Sequence, residues 1–294
     1  MIKPIKIKGK IITPQKSIVS PILGSKNVLT NSRWEFVELW LKKEKLEDAL
    51  YYWKQSKEFN KASKDLDIQS SPLLHYYSFM NATKALLSSK LITFNHYHGV
   101  KHHSTGTSSL ISLNNEGIEI KSRGILPSLS NYYGETEISN THFLKEIFFN
   151  LPYIHRTYCL SYSSQTDMFI PLKECKYVHN SVNNEVYLQA VLSSNFSNHY
   201  VVRRLPASFI LEKKENNKYF VRSVQTVMIL NPKSLTTSEK TSLINLNKSL
   251  RQDLQFINGS NTLWYLKSNV SGPLKLNRQT TTLTLGAMHR LSEL

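Results

Sequence analysis

Apolar residues recur at helical spacing from Trp34 to Leu66, where Phe36, Trp40, Leu46, Ala49, Leu50, Trp53 and Phe59 mark one face. No proline or glycine interrupts this stretch, so the spacing predicts one long helix or two abutting ones. Ser71-Pro72 then supplies a cap and a proline at the first helical position, and the next helix runs to about Lys90. This second helix is apolar on most of its circumference, through Leu73, Leu74, Tyr76, Tyr77, Phe79, Met80, Ala82, Ala85, Leu86 and Leu87. Such a helix belongs at the centre of a bundle. Ahead of both, residues 1–30 alternate Ile5, Ile7 and Ile11 with lysines before Pro14, Pro21 and Gly24, the pattern of an extended arm.

After His103 the period changes. Ile111 and Leu113, a turn at 114–117, and Ile118 and Ile120 predict a β-hairpin. Thr141 is placed to cap a short helix with the face Leu144, Ile147, Phe148 and Leu151, stopped by Pro152. Period-two stretches rich in Val, Tyr, Phe and Ile between Tyr158 and Leu230 predict a small antiparallel sheet. Leu243, Leu246, Leu250, Leu254 and Ile257 follow helical spacing, with Gly259 at the expected C-terminal cap. Leu283 to Leu294 is helical again. The pattern divides the chain into an arm (1–30), a helical core (31–104), an α/β region (105–235) and C-terminal helices (236–294) that return to the bundle.

Charge changes this picture more than composition does. The 294 residues carry a net charge of +16, and residues 1–31 hold six lysines and no acid. The segment 32–70 is balanced, so the excess lies mainly in the arm and the second half. A surplus of this size favours a polyanion such as nucleic acid through counterion release, or an acidic protein partner. Lys101, Arg203, Arg204, Lys213 and Lys214 are the candidate contacts. Two cysteines fit a reducing, cytoplasmic setting better than a disulfide scaffold. No run approaches the roughly 20 apolar residues of a membrane span, and membrane partners are not expected.

The chain has no Gly-rich phosphate loop, G-x-S-x-G elbow, H-E-x-x-H or paired C-x-x-C. One cluster stands out: His96, His98, His102 and His103 follow the buried helix. Imidazoles titrate near neutrality and can act as general acid and base. The neighbouring Gly99, Gly106 and Ser/Thr residues predict a loop there, and no acid or thiol completes a metal site, so neither metal nor cofactor is expected. His75, on the apolar helix, is read as a hydrogen-bonded core residue, Lys84 as a side chain whose head reaches solvent. His155-Arg156 and His289-Arg290 are weak signals individually.

The run Pro72 to Leu87, followed by His98-Gly99-Val100, resembles the bacterial YaaC-like family, which pairs a proline-led helix ending in Lys-Ala-x-Leu with His-Gly-Val. Leu144 to Pro152 after a hairpin, and the tail from Leu283, are similar to that family's order of elements. The same helix is similar to HEPN domains, helical modules of toxin–antitoxin and phage-defence systems, many of which cut RNA with Arg-x(4–6)-His on their last helix. No arginine in this chain has a histidine at that spacing. The resemblance implies an α+β fold, a HEPN-like helical bundle with a small antiparallel-sheet region inserted or appended, able to form a homodimer through its helical core. It implies a module that binds nucleic acid, RNA in preference to DNA, or a partner. The alternatives are a metal-independent endoribonuclease using His98, His102 or His103 with Arg156, and a structural subunit of a complex.

Overall fold

The computed structural model describes residues 1–7, 9–14, 30, 32–106, 111–162, 167–257, 262–270 and 274–294. Strands β1 (Ile2–Pro4), β2 (Lys6–Ile7) and β3 (Lys10–Ile11) come first, then helices α1 (Arg33–Lys43), α2 (Glu47–Ala62) and α3 (Ser71–Ser89). Strands β4 (Val100–Ser104) and β5 (Glu116–Ile120), helix α4 (Ile125–Tyr133), strand β6 (Thr141–Phe143) and helices α5 (Leu144–Phe149) and α6 (His155–Ser161) follow. Next are β7 (Phe169–Asn180), β8 (Glu185–Leu192), α7 (His199–Val202), β9 (Phe209–Glu215), β10 (Lys218–Ser223) and β11 (Val227–Met228). Helix α8 (Thr237–Leu250), strands β12 (Leu254–Ile257) and β13 (Leu263–Lys267) and helix α9 (Thr280–Glu293) complete the order.

These elements form two compact units, each assembled from two stretches of chain. The sheet unit comprises Met1–Ser20 and Pro152–Gly272; the helical unit comprises Pro21–Leu151 and Pro273–Leu294.

The expected fold class, a helical bundle with a small sheet appended, is overturned by the sheet unit. Its antiparallel sheet has eight strands, ordered β12-β13-β7-β8-β10-β9, with β1 on β7 and β11 on β8. The sheet outgrows the expectation because three strands from outside 158–230 join it. Strands β12 and β13 take up residues 254–267, and the Ile-Lys arm pairs Ile2 with Asn180 and Lys3 with His179. The leucine spacing predicted to continue as helix to Ile257 stops at Leu250. Leu254 instead pairs with Leu266 as a strand, which buries both side chains in the sheet. Strand β8 is buried from Val186 to Leu192, as a central strand covered on both faces must be. Gly259 lies outside the described residues.

In the helical unit, α1 and α2 are two abutting helices, separated at Lys45, whose φ is +56°. Helix α3 packs on α2, α4 and α9, with Tyr76, Met80, Ala85 and Leu87 buried and Leu73 exposed near its start. Ser56 and Ser78 join α2 to α3 through reciprocal hydroxyl-to-carbonyl bonds of 2.7 and 2.8 Å. Asn81 donates to the Tyr77 carbonyl at 2.9 Å, so this buried amide is satisfied within its own helix.

The stretch predicted as a histidine loop is strand β4. It pairs with β5 in the register His102 to Ile118 and His103 to Gly117, so the hairpin's first arm lies at 100–104 instead of 111–113. Strand β6 extends this sheet, and Thr141 belongs to it; α5 starts three residues later, at Leu144.

Candidate functional site

The helical unit brings three separated sequence signals together: the middle of α3, the start of β4 and the end of α9. The segment before β4 is fixed by the first turn of α4, whose free amides bond to it. Ile125 N–H donates to the Tyr97 carbonyl at 2.9 Å and Leu126 N–H to that of His98 at 3.2 Å; just past β5, Lys121 N–H donates to the Gly99 carbonyl at 2.9 Å. Gly99 and Gly124 make this possible: both have positive φ, and a Cβ on Gly124 would stand 2.4 Å from the Gly99 Cα.

His98, held in this way, lies against Tyr76 and His289. The His98 and His289 rings meet edge to face at 5.7 Å, and Tyr76 is 5.5 and 5.2 Å from them. The Tyr76 hydroxyl is 2.8 Å from His98 Nδ1. Tyr76 is buried, and burial raises its pKa, so the hydroxyl keeps its proton. A buried O–H that failed to donate would cost about 1–3 kcal/mol, which directs that proton to Nδ1. Neutral His98 then carries its own proton on Nε2. His289 is held oppositely. Its buried Nδ1 lies 3.6 Å from Glu293 Oε2, beyond hydrogen-bond length and within ion-pair range. The carboxylate favours hydrogen on Nδ1 and leaves Nε2 with its lone pair. The two rings therefore present one Nε2 donor and one Nε2 acceptor.

Burial lowers the pKa of both histidines. For His98 the Lys84 charge lowers it further, against Glu293. For His289, Glu293 raises it while His98, Arg290 and His102 lower it. Lys84, about two helical turns beyond Tyr76 on α3, is half-buried with its Nζ 5.3 Å from the Tyr52 ring centroid. Burial lowers its pKa, and among the described residues no carboxylate pairs with it. Arg290, by contrast, is neutralised: Nη2 and Nε donate to Glu116 Oε2 at 2.5 and 2.9 Å in a buried pair.

Of the residues singled out from sequence, His98 is at the centre and His102 is exposed on β4 close enough to influence His289. His103 faces the other side of that strand, against Phe143 at 5.4 Å. Lys101 is paired with Glu119 at 3.0 Å. His75 is half-buried and bonded to Ser63 Oγ at 3.2 Å. Lys84 and His289, the residues that complete the cluster, carried little weight in the sequence. One is the polar interruption of an apolar helix, the other half of an isolated His-Arg pair, and only packing makes them neighbours.

The sheet unit holds the remaining candidates. Arg156 is exposed on α6, and Arg203 is exposed after α7. Arg204 donates to the Asp167 carbonyl and, at 3.4 Å, to Ser268 Oγ. Lys213 pairs with Glu215, and Lys214 lies over the Tyr219 ring at 5.1 Å, both on edge strand β9. This unit also contains an apparent Cys–His–Asp set. Cys159 Sγ is 3.4 Å, and Asp167 Oδ1 3.0 Å, from the same nitrogen, His155 Nε2, which also accepts the Met168 N–H at 3.0 Å. Because thiol and carboxylate meet one nitrogen, no relay runs through the ring, and burial raises the Cys159 pKa. Among the described residues no three His, Cys, Asp or Glu side chains are placed to hold a metal ion, and no helix is long and apolar enough to cross a membrane.

A family model described as YaaC-like protein matches residues 23–294. No curated protein and no solved structure matches the chain.

Proposed function

The chain belongs to the YaaC-like protein family, and from that premise we propose that its helical unit is an RNA-binding module that cleaves phosphodiesters without a metal. The observation that carries this reading is the pair of imidazole rings at 5.7 Å, one against the Tyr76 hydroxyl and the other near Glu293, with Lys84 close enough for its charge to act on His98. His289 Nε2 takes the proton of a ribose 2′-OH, and the Glu293 carboxylate stabilises the resulting imidazolium. The 2′ oxygen bonds to phosphorus, and Lys84 with the His98 Nε2–H stabilises the charge on the non-bridging oxygens. The bond to the 5′ oxygen breaks, and that oxygen recovers the proton from His289. The products are a 2′,3′-cyclic phosphate and a 5′ hydroxyl. His102, exposed on β4, adds a hydrogen-bonding group at the site's edge. Such an activity suits the phage-defence or toxin–antitoxin role implied by the sequence resemblance.

The test is incubation of end-labelled RNA with the full chain in excess chelator. The wild type should cut, and His289→Gln or His98→Gln should cut on the order of 10²–10⁴ times more slowly while binding the RNA as before. Absence of cutting with binding intact would leave a pure RNA-binding module, the reading that the +16 charge favours by itself. Absence of both would leave a structural subunit with a protein partner.

A further inference from the structure

Helix α1 packs on α2 through one face. Leu41 is buried there, and the Trp34 ring meets that of Trp53 at 4.6 Å. On the other face stand Phe36, Leu39 and Trp40, which are 49%, 41% and 37% exposed. Their spacing of i, i+3 and i+4 places the three side by side along the helix. Exposed apolar residues are ordinary when scattered singly, whereas a Phe, a Leu and a Trp in one stripe mark a contact surface. The core helix α3 offers no equivalent, since Tyr76, Met80 and Leu87 are buried within one copy of the chain.

Charge decides what covers this face. The protein carries +16 overall, yet residues 32–70 hold eight basic and eight acidic groups. A polyanion gains nothing here, and a second copy of the chain meets its least repulsion here. The charges of α1 are also arranged for self-pairing. Arg33 and Glu35 lie in its first turn, and Lys42, Lys43 and Glu44 lie at its end. In an antiparallel pair related by a two-fold axis, the start of each helix lies beside the end of the other. Arg33 then comes opposite the partner's Glu44, and Glu35 opposite the partner's Lys42 and Lys43, with Phe36, Leu39 and Trp40 interdigitating at the centre. A parallel pair would set like charges against like.

We propose that two copies of this chain pair antiparallel through α1, with Phe36 and Trp40 as the anchoring side chains. One helix of 11 residues per copy is a small contact beside the roughly 800 Å² per partner of a stable complex, so the dimer forms reversibly in the micromolar range. The interface lies on a different helix from Lys84, His98 and His289, and it neither needs the RNA reading nor supports it.

Sedimentation velocity of the full chain, at concentrations from about 1 to about 200 μM, tests the pairing. The wild type should shift from monomer to dimer across the series. The double substitution Phe36→Ala with Trp40→Ala should weaken the dimer at least about tenfold. Ile68→Ala, at an exposed apolar residue outside α1, should leave it unchanged. Arg33→Glu should weaken it as well, and adding Glu44→Arg, which exchanges the two charges in both copies, should restore it. A chain that stays monomeric throughout, or a dimer indifferent to Phe36 and Trp40, would overturn the proposal. A dimer that Arg33→Glu leaves unchanged, or that Glu44→Arg fails to restore, would overturn its antiparallel arrangement. His289→Gln, which should be defective in RNA cutting, should associate like the wild type.

Discussion

Single side chains in the histidine cluster are tuned by what touches their inner nitrogen. Both rings resist protonation, so a reaction that uses His289 as base should lose rate as pH falls, with its acid limb below the ordinary imidazole value of about 6.5. Glu293→Gln removes the one influence that raises the His289 pKa. The acid limb of a pH–rate profile should therefore move further down, a displacement that a purely structural role for Glu293 would not produce. Stability has its own titration. His142 is buried, accepts the Arg278 Nε–H at 2.8 Å, and has its pKa lowered to about 4 by burial and the Arg278 charge. The unfolded chain binds a proton near pH 6.5 that the folded chain refuses until about pH 4. Stability should thus be full above 6.5 and fall by on the order of 3 kcal/mol on acidification across that window. Denaturant midpoints measured between pH 7 and 4 should show this, and His142→Gln, which keeps an acceptor for Arg278, should flatten it.

Elements of the helical unit are locked at two points that the cluster depends on. Glu135, just past α4, receives Arg278 Nη1 at 3.1 Å, Ser130 Oγ at 2.8 Å, the Gln279 amide at 2.8 Å and Thr282 Oγ1 at 2.6 Å. It thereby fixes the end of α4 to the start of α9, the helix that carries His289. Glu135→Ala leaves the Arg278 charge buried without its partner and should cost about 3–5 kcal/mol by chemical denaturation. The second lock is the glycine contact. Gly124→Ala forces a methyl group against Gly99 N at 2.5 Å and the Tyr97 carbonyl at 2.8 Å, both backbone atoms. Displacing that segment moves His98 from Tyr76, so RNA cutting should fall by about tenfold or more, the scale of a misplaced catalytic group. A Gly124→Ala protein that unfolds like the wild type and cuts at the same rate would sink the positioning argument. The helices themselves were legible from spacing because their apolar faces are local. Strand β4 was not, since the glycines and hydroxyl residues around it read as loop and its partner β5 begins only at Glu116, well beyond the window in which spacing is read.

At the scale of the whole molecule the net charge of +16 is the dominant property. RNA affinity should fall steeply with salt, with a log–log slope of about −0.7 for each phosphate contact on a single strand. A flat response in a filter-binding series between low and physiological salt would exclude phosphate contact and with it the cleavage reading. Lys84→Gln, which removes the cation assigned to the phosphate, should reduce that slope by about 0.7. The sequence by itself determined the α1–α3 series, the C-terminal helix and the presence of His98 just after a buried helix. Each is written in a short window, where spacing alone decides which side chains share a face. Tertiary structure decided the size of the large sheet, because β1, β12 and β13 reach it from opposite ends of the chain and no local period announces that pairing. It also decided the site. Lys84, His98 and His289 belong to three elements, and the tautomers of the two rings follow from Tyr76 and Glu293, contacts that exist only once α3, β4 and α9 have packed together.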